Sequence, residues 1–257
     1  PLSGPFAAVG QKQLKHFQYV AEIANARQLA GPNVRFEIVP FDNKNSPQES
    51  LTLLRTIIDQ GIRYVTQGNG SHVGIPLSDA VAKHNERNPG QSIVYLNYAA
   101  VDPDLTNSKC SFWHFRFDAN NDMKMEALTT YMKDRKEIRN VYLINQNYSH
   151  GQQVARAAKE MIERKRPDVK IVGEDLHPLG QVRDFSPYIA KIRAANADTV
   201  ITGNWGTDLT LLIRAARDAG LTANFYTYYA GANGSPSAIG PMMDGKIKFV
   251  YIGHQNI

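Results

Sequence analysis

Residues 67–74, which read Gln-Gly-Asn-Gly-Ser-His-Val-Gly, are the stretch of the sequence best suited to hold a ligand. They follow a β-branched and aromatic run at 62–66 that predicts a strand, and they precede an amphipathic segment that predicts a helix from about Pro76. A strand, a glycine-rich turn and a helix start place free backbone N–H groups around one small space. Such amides and the helix dipole bind anionic or carbonyl oxygens, and Ser71 adds a hydroxyl. The alternative is a tight turn whose glycines only permit positive φ.

Aromatic residues follow four of the predicted strands, at the sheet edge where α/β proteins bind ligands. These residues are Tyr98, Tyr148, Trp205 and Tyr229, and Ser71 with His72 occupies a fifth strand end. If two α/β domains face each other, these side chains line the cleft between them. Aromatic walls with a few fixed polar groups are typical of a small-molecule pocket. Taken singly, any one of the four aromatics could instead pack over the edge of its sheet.

Signals for an enzyme are weaker. Residues 68–74 can be read as a dinucleotide-binding fingerprint, because they lie between a strand and a helix. However, the next strand ends at Asn97 without an acid that could hold a ribose, and the turn does not belong to the first βα unit. The sequence has no Walker motif and no Gly-x-Ser-x-Gly elbow. We therefore predict no catalytic residues and no cofactor.

Metal binding is also not indicated. None of the seven histidines lies at ligand spacing from a cysteine or an acid, so no metal site is predicted. Asp42, Asp102 and Asp184 fall in predicted loops, where we interpret them as turn or cap residues.

Composition narrows the classes of partner. With 257 residues, 42% of them apolar and 21% charged, the sequence is that of an ordinary globular protein of one large or two moderate domains. No apolar run is long enough to span a membrane, so no direct membrane insertion is expected. The net charge of +5 comes from scattered residues with small clusters at 133–136 and 164–166, interpreted as solvated helix ends. No nucleic-acid partner is predicted, because its site needs basic residues concentrated on one face.

The sequence alternates predicted helices and strands throughout. In the first half, helices are predicted at 8–28, 47–60 and 76–87, and strands at 34–39, 62–66, 93–97 and 112–117. In the second half, helices are predicted at 122–134, 152–164, 207–219 and from 186, and strands at 141–145, 169–173, 199–203, 225–229 and 247–251. This alternation indicates an α/β fold whose parallel sheets are covered on both faces.

Two doubly wound, Rossmann-like lobes with a ligand cleft between them are therefore predicted. Residues 1–117 form the first lobe, residues 118–250 the second, and residues 251–257 a crossover back toward the first. The sequence opens on a turn and a helix with no strand before them, and it stops just after a strand. We therefore expect that both ends of the fold are truncated, with the first strand of the first lobe missing.

Several short motifs, in order along the whole chain, resemble one protein family. They are Pro1-Leu2-Ser3-Gly4-Pro5 with Gly10, Gly70-Ser71, Pro103-Asp104-Leu105-Thr106, Phe115-Arg116, Tyr148, Asp184-Phe185-Ser186 and residues 211–220. The chain is similar to the type I periplasmic solute-binding proteins of the leucine/isoleucine/valine-binding kind, the receptors of ABC importers. In that family the serine matched by Ser71 holds the ligand carboxylate, and the tyrosine matched by Tyr148 closes over the ligand from the second lobe.

The resemblance implies a non-catalytic receptor that closes like a flytrap on a small solute and delivers it to a membrane permease. It implies a periplasmic or extracellular location, and the given sequence, which begins at Pro1, is either a chain with its leader removed or an excised segment. The ligand-binding residues predicted from the resemblance and from the strand ends are Gly70, Ser71, His72, Tyr98, Ala99, Ala100, Val101, Tyr148, Asn204, Trp205, Tyr229 and Ala230.

Two positions depart from the family pattern. Val101 stands where amino-acid binders carry a threonine or serine, and Tyr229-Ala230 stands where a glutamate normally pairs with the ligand's α-ammonium. An unpaired ammonium in a closed cleft is costly, so we predict an organic or aromatic acid, or a related amide. The alternatives are a genuine branched-chain amino acid receptor and, more remotely, an α/β enzyme or a ligand-sensing regulator.

Overall fold

Two parallel β-sheets organise the part of the chain that the computed structural model describes, residues 1–232, 235–243 and 245–250. The helices are α1 (Ala7–Ala26), α2 (Pro47–Asp59), α3 (Ser71–Arg87), α4 (Asn121–Met132), α5 (Ser149–Lys165), α6 (Ser186–Ala194), α7 (Gly206–Asp218) and α8 (Ser235–Ile239). The strands are β1 (Tyr64–Thr66), β2 (Val94–Asn97), β3 (His114–Arg116), β4 (Asn140–Gln146), β5 (Lys170–His177), β6 (Thr199–Thr202), β7 (Asn224–Thr227) and β8 (Ile247–Phe249).

The first lobe is built on a three-stranded sheet with the order β1-β2-β3, in which Tyr64 pairs with Val94 and Tyr95 with His114. Its core packs α2 and α3 against the sheet through residues such as Leu54 and Val81. The strands are parallel, so their carboxyl ends and the loops after them lie at one edge of the sheet.

The second lobe is built on a five-stranded parallel sheet with the order β5-β4-β6-β7-β8. Hydrophobic cores cover both of its faces, as a parallel sheet requires. The α/β fold and the two lobes predicted from the sequence are thus confirmed. The chain passes between the sheets after Arg116 and before Asn121, while the exact boundary at 117/118 stays a prediction. The predicted crossover at 251–257 lies outside the described residues.

Helix α3 begins five residues earlier than predicted. Its first residue is Ser71 rather than Pro76, and Pro76 lies inside the helix. Gly70 takes a φ of 88° as the N-cap, and its carbonyl oxygen accepts hydrogen bonds from the amides of Val73 and Gly74. The early start follows from this glycine, since a left-handed φ favours a residue without a side chain. It places Ser71 and His72 in the first turn of the helix.

The predicted strand at 34–39 is wrong. The segment makes no sheet pairing within the described residues, and Val34, Phe36 and Val39 are exposed. The side chain of Asn25 in α1 instead accepts from the Phe36 amide and donates to its carbonyl, at 2.7 and 2.8 Å. A β-rich pattern forms a strand only beside a neighbouring strand, because the ladder supplies its hydrogen bonds.

The basic cluster at 164–166 is less solvated than predicted. The Arg166 side chain is 13% exposed, and it donates to the carbonyl oxygens of Met132, the last residue of α4, and of Arg135 and Ile138 in the loop that follows. Lys165 is similarly enclosed and pairs with Glu126 at 2.6 Å. Helix ends leave carbonyl oxygens unpaired, so these cations stabilise the α4–α5 packing. None of the described helices is long and apolar enough to cross a membrane.

We predict that Ser46→Ala lowers the free energy of unfolding by about 1 kcal/mol, because the Ser46 hydroxyl accepts the Glu49 amide at the start of α2. Urea denaturation followed by circular dichroism measures this change. Ser108→Ala, at an exposed turn position, is the matched control and should leave the midpoint unchanged. Equal midpoints for both variants would contradict the role of the cap.

Candidate functional site

A cavity of about 40 Å³ lies between the two lobes. It has room for roughly three water molecules, so any solute held there must be small or must keep the lobes slightly further apart. The first lobe contributes Val9, Gln13, Gly68, Asn69, Gly70, Ser71, Ala99 and Val101, and the second contributes Tyr148, His150, Trp205 and Tyr229.

Three helices begin at the wall of this cavity. Gly70, Tyr148 and Trp205 are the N-cap residues of α3, α5 and α7, and all three line the cavity. The N-terminus of each helix carries a partial positive charge and unpaired amides. The cavity therefore favours an anionic group or a carbonyl oxygen.

Ser71 provides the most direct polar contact in the first lobe. It is 1% exposed, and its hydroxyl oxygen accepts the Asp102 amide at 3.1 Å, so the hydroxyl hydrogen stays available for a solute. The Ser71 and His72 amides begin α3, and no acceptor for them occurs among the described residues. A carboxylate at this position can accept from the hydroxyl and from these amides together.

The second-lobe wall is an ordered aromatic pair. The Trp205 indole nitrogen donates to the Tyr148 hydroxyl oxygen at 2.8 Å, which orients the tyrosine hydrogen away from the tryptophan. The Tyr148 ring also meets the His72 ring edge to face at 4.9 Å, so it contacts the first lobe. These contacts hold the lobes in a closed arrangement around the cavity.

Tyr229 completes the wall and has a cation behind it. The ammonium of Lys124 lies 4.7 Å from the centre of the Tyr229 ring and pairs with Asp118 at 2.7 Å. Burial lowers the pKa of Lys124, an effect that the pairing with Asp118 opposes. None of the described residues that line the cavity is acidic.

His150 lines the cavity as a buried neutral ring. Its Nε2 lies 2.8 Å from the carbonyl oxygen of Gly203, and its Nδ1 lies 2.9 Å from the Asn121 carboxamide. Burial, with the nearby Lys124 charge as a lesser cause, lowers the pKa of His150 to about 4. The ring therefore adds no charge to the cavity at neutral pH.

Seven of the twelve residues predicted for the site line the cavity, namely Gly70, Ser71, Ala99, Val101, Tyr148, Trp205 and Tyr229. His72 does not line it but contacts Tyr148 at the rim, with its Nε2 3.0 Å from the carbonyl oxygen of Asn45. Their roles toward a ligand stay predictions.

The other four predicted residues point away from the cavity. Tyr98 turns toward α1, where its hydroxyl donates to Gln13 at 3.2 Å. The Asn204 amide nitrogen lies 2.8 Å from Nε2 of His177 inside the second lobe. Ala100 and Ala230 are buried in the lobe interiors, at 1% and 3% exposure. Each follows a predicted strand, but alternate residues after a strand face opposite sides.

Five lining residues were not predicted, namely Val9, Gln13, Gly68, Asn69 and His150. Gly68 and Asn69 belong to the turn that was singled out, and His150 follows Tyr148 by two positions, so proximity in sequence was an available signal. Val9 and Gln13 lie in the first turns of α1, for which the sequence offered no strand end as a guide.

The three aspartates predicted to lie in loops act as turn or cap residues, as expected. The Asp102 carboxylate accepts the Asp104 amide at 3.0 Å and caps a short 3-10 turn. Asp42 accepts the amides of Leu2 and Lys44, and Asp184 accepts the amide of Ser186. Asp102 does not line the cavity, so it does not supply a carboxylate for a bound cation there.

A larger cavity of about 370 Å³ lies within the first lobe. Its walls include the outer edge of β1, the unpaired segment at 37–41 and apolar residues of α1 and α2 such as Phe17 and Leu54. A space between a free strand edge and an unpaired extended segment has the form of a gap in a sheet. We therefore do not assign it as the solute site.

Comparison with known proteins agrees with this architecture. A family model described as "Periplasmic binding protein" matches residues 1–251. A Leu/Ile/Val-binding protein homolog 4 of Brucella abortus is 36% identical over 248 residues, which are 96% of this chain and 59% of that protein. The chain thus spans less than two thirds of the length of the curated relatives it matches.

Solved structures show the same fold. The leucine-, isoleucine-, valine-, threonine- and alanine-binding protein of Brucella ovis, in a closed conformation, is 34% identical with a TM-score of 0.74, over 95% of this chain and 62% of that one. An R. palustris solute-binding protein in complex with benzoate is 18% identical with a TM-score of 0.82, over 97% of this chain and 65% of that one. At this lower identity the likeness concerns the fold alone.

We predict that the protein loses stability as the pH falls below neutrality. Burial holds the pKa of both His150 and His114 at about 4, below the usual 6.5. Between these values the unfolded chain takes up protons that the folded chain excludes. The free energy of unfolding should therefore fall by about 1.4 kcal/mol per pH unit for each histidine, and this stability is fully present only above pH 6.5.

Urea denaturation at about pH 7 and about pH 5.5 measures this dependence. His150→Gln should remove part of the fall, whereas His16→Gln, in an exposed position of α1, should retain all of it. Identical pH dependence in wild type and His150→Gln would contradict the assignment of a neutral buried ring.

Proposed function

Because this chain belongs to the family of periplasmic binding proteins, we propose that it is the solute-binding component of an ABC importer. It binds a small solute that bears a carboxylate, closes its lobes over that solute and presents it to a membrane permease. It works in the periplasm or outside the cell, and it catalyses no reaction.

The convergence of three helix N-termini on one cavity carries this proposal. The N-caps of α3, α5 and α7 belong to both lobes, so their positive ends surround a carboxylate only when the lobes are closed. The solute's negative charge therefore contributes to closure as well as to binding.

An organic or aromatic acid suits the cavity better than an amino acid. An α-ammonium removed from water needs an acid or several acceptors, and leaving it unpaired costs several kcal/mol. The described lining residues include no acid, and the charge of Lys124 behind Tyr229 is balanced by its partner Asp118. Tyr148, Trp205 and Tyr229 offer flat apolar surfaces for a ring, and a protein of similar fold is known in complex with benzoate.

The second candidate is a branched-chain amino acid receptor. The names of the two Brucella relatives described above favour it, since they are described as binding leucine, isoleucine and valine among other amino acids or as a homologue of such proteins. In that case the ammonium has to be held by neutral oxygens of the lining, such as that of Asn69 or a tyrosine hydroxyl.

Binding is expected to start in the first lobe. Ser71 and the amides of α3 take the carboxylate, and Tyr148 with Trp205 then closes over it by hinge motion. One hinge is at residues 117–120, next to the hydrogen bond from the Asn121 amide to the Val101 carbonyl oxygen, at 2.9 Å. We expect a second hinge at residues 251–254 of the predicted crossover, which lie outside the described residues.

Calorimetry with benzoate, 4-hydroxybenzoate, benzamide and leucine decides between the two candidates. We expect binding of the aromatic acids and weaker or no binding of leucine. Tight leucine binding without a response to the acids would establish the amino acid candidate instead. If NAD or ATP raised the thermal stability of the protein and none of these four compounds did, the receptor proposal would be contradicted and an enzyme favoured.

We predict that Ser71→Ala weakens carboxylate binding by about tenfold or more, since a hydrogen bond to a charged group contributes about 1.5–3 kcal/mol. Titration calorimetry of the acid that wild type binds gives the change. Ser78→Ala removes a buried hydroxyl from the same helix without touching the cavity, and it should leave the affinity unchanged. Equal losses in both variants would indicate damage to α3 rather than loss of a contact.

We also predict that Trp205→Ala weakens binding by about 1–3 kcal/mol, as expected for a buried aromatic anchor. The same titration measures it, with Tyr19→Ala on the exposed face of α1 as the control. An unchanged affinity would mean that Trp205 only packs against neighbouring protein side chains.

A further inference from the structure

Phe6 of the first lobe is buried against the second lobe. Its side chain is 4% exposed, and its ring stacks on Trp205 with 4.2 Å between ring centres and 27° between planes. Phe6 and Trp205 form a small apolar cluster with Val9, Leu179 and Tyr229. Phe6 does not line the solute cavity itself, so it contacts the wall from behind.

Two glycines of the second lobe make room for this ring. A Cβ atom at Gly180 would lie 2.9 Å from Phe6 Cε2, and one at Gly206 would lie 2.8 Å from Phe6 Cδ1. Both glycines have positive φ, at 69° and 62°. Gly180, Gly206, Leu179 and Trp205 thus form a socket that accepts an aromatic ring, and we call these four residues the Phe6 socket.

The turn that carries Phe6 is tied to both lobes. On the first-lobe side, the Leu2 amide donates to Asp42 at 2.7 Å, and the Leu2 carbonyl accepts from Gln11 at 3.0 Å. On the second-lobe side, the Thr207 hydroxyl donates to the Pro5 carbonyl oxygen at 2.7 Å. The turn is therefore a fixed part of the first lobe that reaches the start of α7 across the cleft.

We infer that Phe6 is a positioning residue that latches the lobes shut by inserting its ring into the Phe6 socket, and so sets the affinity for every solute without touching any of them. This inference rests on the proposed function, because it concerns the closure that accompanies solute binding. Opening the lobes withdraws the ring and exposes both it and the Trp205 face to water. The closed population, and with it the apparent affinity, depends on this contact.

A latch between the lobes and a direct solute contact affect binding differently. A residue that contacts solute changes the affinities of different solutes by different factors, since each solute fills the cavity differently. A residue that only shifts the balance between open and closed lobes changes all affinities by one common factor. Phe6 belongs to the second kind, and Trp205, which lines the cavity, to the first.

A double-variant cycle with Phe6→Ala and Gly180→Ala tests the latch. Phe6→Ala should weaken binding of benzoate and of 4-hydroxybenzoate by the same factor, about tenfold, as expected when a stacked aromatic pair is lost. In the wild-type background, Gly180→Ala should weaken binding several-fold. In the Phe6→Ala background it should have little effect on binding, because the added methyl group then meets no ring. Phe6→Leu, which keeps most of the apolar volume, should fall between wild type and Phe6→Ala.

Two control variants separate the latch from general damage. Gly220 has a φ of 64° like Gly180, but nothing lies within 4 Å of a Cβ placed there, so Gly220→Ala carries the backbone strain alone. Phe112→Ala removes an exposed ring of the first lobe. Neither control should change the affinity. Small-angle scattering without solute gives a second readout, in which Phe6→Ala should increase the radius of gyration and Phe112→Ala should not.

The outcomes are distinguishable. If wild type binds none of the solutes, the proposed function fails, while the scattering comparison still tests the latch. The latch itself is overturned if Phe6→Ala leaves affinity and radius unchanged, or changes the affinity for one solute only. An equal Gly180→Ala effect in both backgrounds would also overturn it, because the socket would then act independently of the ring.

Discussion

Backbone amides at the start of a helix need an acceptor, and closing the cleft removes water as the acceptor. In this protein the backbone amides of Ser71 and His72, at the start of α3, need such an acceptor. While the lobes are apart, solvent satisfies them. Once the lobes meet, an unpaired buried donor costs about 1–3 kcal/mol, so a solute oxygen that takes the place of water stabilises the closed state further. In the proposed function, binding and closure are coupled through this one requirement.

The sheets and the aromatic wall make the requirement effective. Parallel strands bring the ends of β1, β4 and β6 to the cleft, which is why three helices start there. The pair of Trp205 and Tyr148 then supplies a flat surface that excludes water from the helix starts. Behind Tyr229, Lys124 pairs with Asp118 and neutralises its carboxylate, so the wall presents no unpaired negative charge there. Together these features favour a solute oxygen that carries negative charge.

Much of the fold could be predicted because local pattern and tertiary context agree. Apolar runs such as 141–145 are buried strands, and Ser46-Pro47 starts a helix as its chemistry requires. The predictions failed where tertiary contacts, rather than the local sequence, determine the structure. The segment at 34–39 has strand composition but no neighbouring strand, and Asn25 satisfies the backbone of Phe36 instead. Pro76 suggested a helix start, whereas the positive φ of Gly70 placed the start at Ser71. Strand ends located the cavity, but the direction of Tyr98 and the socket for Phe6 depend on packing that no spacing records.

The free edge of β1 also bears on whether copies of this chain associate with one another. Tyr64, at that edge, is 70% exposed, and a cavity lies between the edge and the segment at 37–41. Natural sheets cover, shorten or charge such edges, because an unpaired row of N–H and C=O groups recruits strands from other molecules. Here the edge carries an aromatic, a valine and a threonine and no charge. An edge of this composition favours edge-to-edge association between copies of the chain at high concentration.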